Sequence, residues 1–157
     1  MSRPKRLGNV CYVGVARYFL TFCVHERRKV FTCDQSVQLA LLHIRQSARH
    51  ERFSLFAYCF MPDHVHLLVE SMSIGSDLRR FVARAKQHSG AAFALKHGGR
   101  LWQAGYYERI LRRSEDAKWV ARYIVNNPVR AGLVSSPSQY AYFGSDVWTL
   151  DELMGSI

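Results

Sequence analysis

An α+β fold, an antiparallel sheet with two helices laid on one face and a further helix toward the C-terminus, follows from three observations. Segments rich in aromatic and β-branched residues stand at 18–24, 53–60, 64–69 and 106–111, and in the third Val65, Leu67 and Val69 alternate with His64, His66 and Leu68. Two longer segments carry apolar residues at helical spacing, one after the first strand and one after the third. A last helical segment follows the fourth strand, so the order is β-α-β-β-α-β-α.

Residues 1–10 read as a basic arm. Tyr18 to Val24 is the first strand. Asp34 stands where it can cap a helix over 35–50, in which Val37, Ala40, Leu41 and Ile44 make one apolar stripe. Phe53 to Phe60 is the second strand, and Met61-Pro62-Asp63 turns the chain into His64 to Val69 as a tight hairpin. The second helix starts after Gly75-Ser76, with Leu78, Phe81, Val82 and Ala85 inside and Arg79, Arg80, Arg84 and Lys86 outside. His97-Gly98-Gly99-Arg100 ends it, and Tyr106 to Leu111 is the fourth strand. Ser114, Glu115 and Asp116 suit a helix start, a hydroxyl cap followed by acids at the positive dipole end. Pro128 stops that helix near Asn127, because the residue before a proline avoids helical geometry. Tyr140, Tyr142, Phe143 and Trp148 mark residues 135–157 as a tail that packs on the body. The first six elements match a split βαββαβ, ferredoxin-like sandwich with the 64–69 strand central. The added C-terminal helix is free to pack near that strand.

At 157 residues the chain reads as one domain. It carries 22 Lys and Arg against 12 Asp and Glu, a net charge of +10. Most of the excess is clustered arginine, whose planar fork suits phosphate. The expected partner is a polyanion, nucleic acid ahead of a membrane surface. No segment has the apolar length of a membrane span, and Met1-Ser2-Arg3-Pro4-Lys5-Arg6 is not followed by a signal-peptide core, which reads as a cytoplasmic protein. Cys11, Cys23, Cys33 and Cys59 form no C-x-x-C and sit among apolar neighbours, so they read as reduced, mainly buried thiols rather than zinc ligands.

The chemistry concentrates at His64-Val65-His66. Residues two apart on a strand share a face, so both imidazoles project together from a rigid sheet, spaced to hold one divalent metal. A lone strand histidine more often just satisfies a hydrogen bond; a same-face pair after a Pro-Asp turn favours ligation. On the last helix Ala117, Val120, Ala121 and Ile124 form the apolar stripe, Tyr123 lies on its flank, and Asn127 is one turn further on the same side. By spacing alone, Tyr123 is read more readily as a packing residue than as a nucleophile.

Tyr58-Cys59-Phe60-Met61-Pro62-Asp63-His64-Val65-His66-Leu67-Leu68 resembles the HUH motif of IS200-like, single-tyrosine transposases. Trp102 to Arg109 and Ala121 to Val134, with Tyr123-Ile124-Val125-Asn126-Asn127-Pro128-Val129-Arg130 at their heart, resemble the REP-associated tyrosine transposase branch. The three segments follow in order, and the resemblance spans residues 12–145. It implies a metal-dependent endonuclease and strand transferase acting on single-stranded hairpin DNA, as in DNA transposition. Within it, His64, His66 and Asn127 hold a divalent ion, Mg²⁺ or Mn²⁺. Tyr123, on the added helix, takes the 5′ phosphate and frees a 3′ hydroxyl. Full transposons of this class work as dimers, while the REP-associated branch is compatible with a monomer, so monomer and homodimer both stand.

Imidazole ligands suit Mn²⁺ better than Mg²⁺, which prefers oxygen. For DNA, Arg79, Arg80, Arg84, Lys86, Arg109, Arg112 and Arg113 could track phosphates, Trp102, Tyr106 and Tyr107 could stack unpaired bases, and Arg3, Lys5 and Arg6 resemble the arm used near a hairpin foot. Two other readings stand beside this one. A histidine-based nucleotide phosphohydrolase wants a further histidine where Leu68 stands. A non-catalytic nucleic-acid-binding regulator has no use for the His64, His66 and Tyr123 set.

Overall fold

The computed structural model describes residues 16–112 and 114–155. Four strands, β1 (Arg17–Cys23), β2 (Phe53–Met61), β3 (His64–Ser71) and β4 (Tyr107–Ile110), join a short β5 (Phe143–Gly144) in one sheet of order β4-β1-β3-β2-β5. Neighbouring strands are antiparallel throughout, and β3 is central, as the sequence predicts.

Alternation along β3 divides the core. Val65, Leu67 and Val69 point to one face, where α1 (Asp34–His50) and α2 (Leu78–His97) lay Val37, Leu41, Ile44, Leu78, Phe81 and Ala85 against Tyr18, Leu20 and Phe22 of β1. His64, His66 and Leu68 point to the other. There α3 (Ala117–Val125) buries Val120, Ala121 and Ile124 against Ala57, Cys59 and Leu68. Residue type thus decides face: both helix-covered positions beside the histidines are aliphatic, and a one-residue slip would exchange the sets.

The helix ends are fixed by local groups, some of them other than the expected ones. Cys33, not Asp34, occupies the N-cap position of α1. Asp77 caps α2, accepting from the Arg79 and Arg80 amides at 3.0 and 3.3 Å. Asp116 rather than Ser114 caps α3, accepting from Lys118 N at 2.9 Å, while Glu115 accepts from Arg109 and the Arg112 amide. Pro128 does not end helical structure: α3 closes at Val125, and α4 (Asn127–Arg130) restarts one turn with Pro128 near its N-terminus, where no amide is missed. Of the described cysteines, Cys59 is buried, but Cys33 is exposed and Cys23 is half-buried, so the expectation of mainly buried thiols holds for Cys59 alone.

The tail packs on the body through three ties. β5 extends the sheet beside β2, Arg45 of α1 grips Asp146 at 2.7 Å, and Arg122 of α3 donates to the Glu152 carbonyl of α5 (Leu150–Met154) at 3.0 Å. Gly144 lies under the Tyr58 ring: a Cβ there would stand 2.5 Å from the Tyr58 hydroxyl and 2.8 Å from its Cζ. Gly144→Ala is therefore expected to lower stability by about 1–3 kcal/mol, read by urea unfolding, because Tyr58 is also held under the Arg45 guanidinium. No helix among the described residues is long and apolar enough to cross a membrane.

Candidate active site

The two histidines are aimed by the hairpin and by neighbouring strands. The turn carbonyls are held from outside: Asp63 O accepts from Val24 N at 2.9 Å, and Pro62 O accepts from Val30 N and Phe31 N at 2.9 and 3.0 Å. Register then places Thr21 of β1 and Cys59 of β2 on either side of His66. His64 Nδ1 meets Asp63 Oδ1 at 2.7 Å, and His66 Nδ1 meets Thr21 Oγ1 at 2.8 Å. Both Nε2 atoms are left facing each other, 3.2 Å apart, with the rings at 75°.

That geometry fits a shared cation. Two donors about 2.1 Å from one ion and at right angles lie about 3 Å apart. The Asp63 carboxylate can only accept, so His64 carries its proton on Nδ1 and presents an Nε2 lone pair. The Thr21 hydroxyl can donate or accept, so it serves either His66 tautomer and lets that ring also present Nε2 as a lone pair. Such partners on the outer ring nitrogen fix orientation and ligand basicity. Asp63 is further held by Arg27 Nε at 3.1 Å; burial opposes its ionisation, but the His64 hydrogen bond and the Arg27 charge prevail and keep its carboxyl below the usual range. Among the described residues no third His, Cys, Asp or Glu joins the pair.

Burial first, and then the charges of His64, Arg130 and Arg27, push His66 down to about 3. A ligand kept neutral in this way stays available to a metal across the physiological range. The folded chain resists the proton that the unfolded chain takes up near 6.5, so this stability is complete above that value and is lost as pH falls toward 3. In EDTA, going from pH 7 to pH 5 is expected to cost up to about 2 kcal/mol through this residue, and a His66→Gln chain should show a correspondingly shallower pH dependence of its melting temperature.

A cavity of about 440 Å³ opens over this face of the sheet. Its lining includes His66, Thr21 and Phe19, then Tyr107 and Arg109 of β4, and Trp119, Tyr123 and Asn127 from the α3–α4 segment. Tyr123 and Asn127 share the cavity because they are one turn apart on the side of the α3–α4 segment that the apolar stripe leaves uncovered. Tyr123 is 48% exposed, with the Arg130 guanidinium 3.6 Å from its ring centroid on one side. Arg130 also donates to Asn127 Oδ1 at 3.3 Å, so that oxygen must exchange this bond to face a cation.

The other residues named for DNA are dispersed. Tyr107 and Arg109 line the cavity, although Arg109 is paired with Glu115 at 2.8 Å. Arg112 is exposed just beyond β4. Arg79, Arg80 and Arg84 lie on α2, across the sheet from the histidines, and Lys86 there donates to the carbonyls of Gln103 and Gly105. Trp102 and Tyr106 are buried in the helix-side core; the Trp102 indole donates to Ser89 Oγ at 2.8 Å, leaving no face for a base. Arg3, Lys5, Arg6 and Arg113 fall outside the described residues. Thr21, Arg27, Trp119 and Arg130 join the site unforeseen. Trp119 stands four residues before Tyr123, a spacing that could have exposed it; Thr21 depends on strand register.

The family model described as "Transposase IS200 like" matches residues 12–127, and the chain belongs to that family of DNA transposases. Within it, the likeness runs to the REP-associated tyrosine transposases. The protein so named in Escherichia coli K12 is 24% identical over 133 residues, covering 83% of this chain and 77% of its own. A Haemophilus influenzae relative provisionally given the same name is 24% identical over 137 residues, covering 80% and 77%. A solved structure of a REP-associated tyrosine transposase bound to a REP hairpin has the same fold, with TM-score 0.74, 24% identity, and 91% of this chain and 82% of its own covered.

Proposed function

We propose that this chain is a metal-dependent endonuclease and strand transferase for single-stranded, hairpin-bearing DNA, acting through a 5′-phosphotyrosine on Tyr123. The observation that carries this reading is the convergence of Tyr123 with His66, and through it His64, on one cavity. A divalent ion, Mn²⁺ or Mg²⁺, held by the two Nε2 atoms with Asn127 beside them supplies Lewis-acid polarisation of the phosphate when bound.

The chain's own groups do the rest. The Tyr123 phenol oxygen attacks phosphorus in line with the departing 3′ oxygen; the O–P bond to tyrosine forms as the bond to that oxygen breaks. The phenolic proton passes to water at the open mouth, and the 3′ oxygen gains one from water. Arg130, beside the ring, and Arg109, on the opposite wall, offset phosphate charge. The new ester keeps the energy of the old bond, so a second 3′ hydroxyl can reverse the step and join a new strand without a nucleotide. One chain carries every group named, which is compatible with a monomer as well as a homodimer. The REP hairpin in the related solved structure supports hairpin DNA as substrate.

The test is incubation with Mn²⁺ and single-stranded DNA bearing a REP-like hairpin, followed by a denaturing gel. A protein–DNA adduct that EDTA prevents is expected. Cleavage without an adduct would favour a hydrolytic reading, and tight binding with neither would favour the non-catalytic regulator.

A further inference from the structure

Among the described residues, the exposed large aromatic side chains are Tyr107, Trp119 and Tyr123, and all three line the single cavity that holds His66. Trp119 is the most open, at 55%. Exposed indole costs hydration, and nothing in the packing of α3 requires it, since that helix buries its opposite face. Trp119 and Tyr123 are stacked, ring centroids 5.9 Å apart and planes within 18°. Arg130 also lies over the Tyr123 ring, its guanidinium 3.6 Å from the centroid, and donates to Asn127 Oδ1. Arg130, Tyr123 and Trp119 thus form one cluster of planar groups, and the indole is its most exposed member.

We propose that Trp119 is the stacking platform for an unpaired nucleobase next to the phosphodiester presented to Tyr123. A base on the exposed indole extends this cluster of planar groups. Trp119 is in ring contact with Tyr123, so a base on it would lie next to the phosphodiester presented to that phenol. Each base has a π-face, so such a platform tolerates sequence, and the indole is the largest surface a side chain offers for it. Tyr107, held edge-on to Phe19 on the β4 wall, bounds the slot from the opposite side. Trp119 thereby favours single strands, since a paired base reaches it only by first giving up its own pairing and stacking. A peptide ligand is the competing occupant, but the basic chain and the histidine pair beside the slot suit a phosphodiester.

The inference rests on the DNA reading above but not on chemistry, and its test needs none. The full chain is titrated in EDTA into two labelled oligomers, a thymidine 12-mer and an abasic deoxyribose-phosphate 12-mer, with binding followed by anisotropy. Trp119→Ala is expected to weaken binding of the thymidine oligomer about tenfold and that of the abasic oligomer less than twofold. Trp119→Phe should recover most of the loss, and tryptophan fluorescence of the parent should be quenched by the thymidine oligomer alone. Equal losses on both oligomers, no loss on either, or a Trp119→Phe chain as weak as Trp119→Ala would overturn it. A chain that shows this base dependence yet forms no adduct would sink the catalytic reading and keep the platform; an adduct without base dependence would do the reverse.

Discussion

A Tyr123→Phe chain is expected to fold like its parent and to form no DNA adduct. The substitution deletes one oxygen, and among the described residues that oxygen makes no hydrogen bond; the ring keeps its contacts with Trp119 and Arg130. Stability should move by no more than about 0.5 kcal/mol, as for an exposed position outside the core. Activity should fall by about a thousandfold or more, because the phenol oxygen is itself an atom of the intermediate and no neighbouring side chain can replace it. Among the described residues Tyr107 is the one other exposed phenol in the cavity, and it stands on β4 rather than on α3. Persistent adduct in the phenylalanine chain would therefore point to Tyr107 and away from the α3 assignment. Melting curves of both proteins, run beside a denaturing gel, separate loss of chemistry from loss of fold.

His66→Ala is expected to have an effect of similar size by a different route. It removes one of two Nε2 donors and leaves the Thr21 hydroxyl without its partner. Calorimetric titration with Mn²⁺ should show affinity reduced by more than about 100-fold, with DNA cutting lost in parallel. The surrounding residues grade the effect. Thr21→Val and Asp63→Asn leave both imidazoles in place but remove the groups that set their tautomers, and each should weaken Mn²⁺ by about 10–100-fold. Undiminished Mn²⁺ binding in His66→Ala would show that the pair is a hydrogen-bonded strand feature and not a ligand set. A DNA-binding measurement in EDTA completes the comparison, since the stacking and arginine contacts should survive the loss of a metal ligand.

The sheet was legible because its signals are local. His64 to Val69 alternates within six residues, Pro62-Asp63 is a turn by composition, and the stripes of α1 and α2 repeat over several turns. Tyr123 and Asn127 share a side by helical spacing alone. What was not legible depends on contacts between distant segments. Thr21 reaches His66 through the β1–β3 register, and Arg27 reaches Asp63 through a backbone with φ near 54°, which no residue pattern announces. Arg130 stacks on Tyr123 because helical structure resumes after Asn126, whereas Pro128 by itself suggests an end. Trp102 shows the converse: as an aromatic of a basic chain it reads as a base platform, yet its indole closes the core against Phe22 and Phe31. Aromatic residues in a basic chain divide between core and ligand only once burial is known. By that measure Trp119, and not Trp102, faces the cavity.

The most direct measurement is peptide mapping of the covalent product. Hairpin DNA with an internal label on each side of its cleavage point is incubated with the protein and Mn²⁺, digested with protease and nuclease, and analysed by mass spectrometry. The expected result is a single nucleotide phosphate on the peptide containing Tyr123, carrying the label from the 3′ side of the cut. Phosphate on a peptide containing His64 or His66, or a nucleotide attached through its 3′ end, would contradict the assignment of Tyr123 as the group that takes the 5′ phosphate.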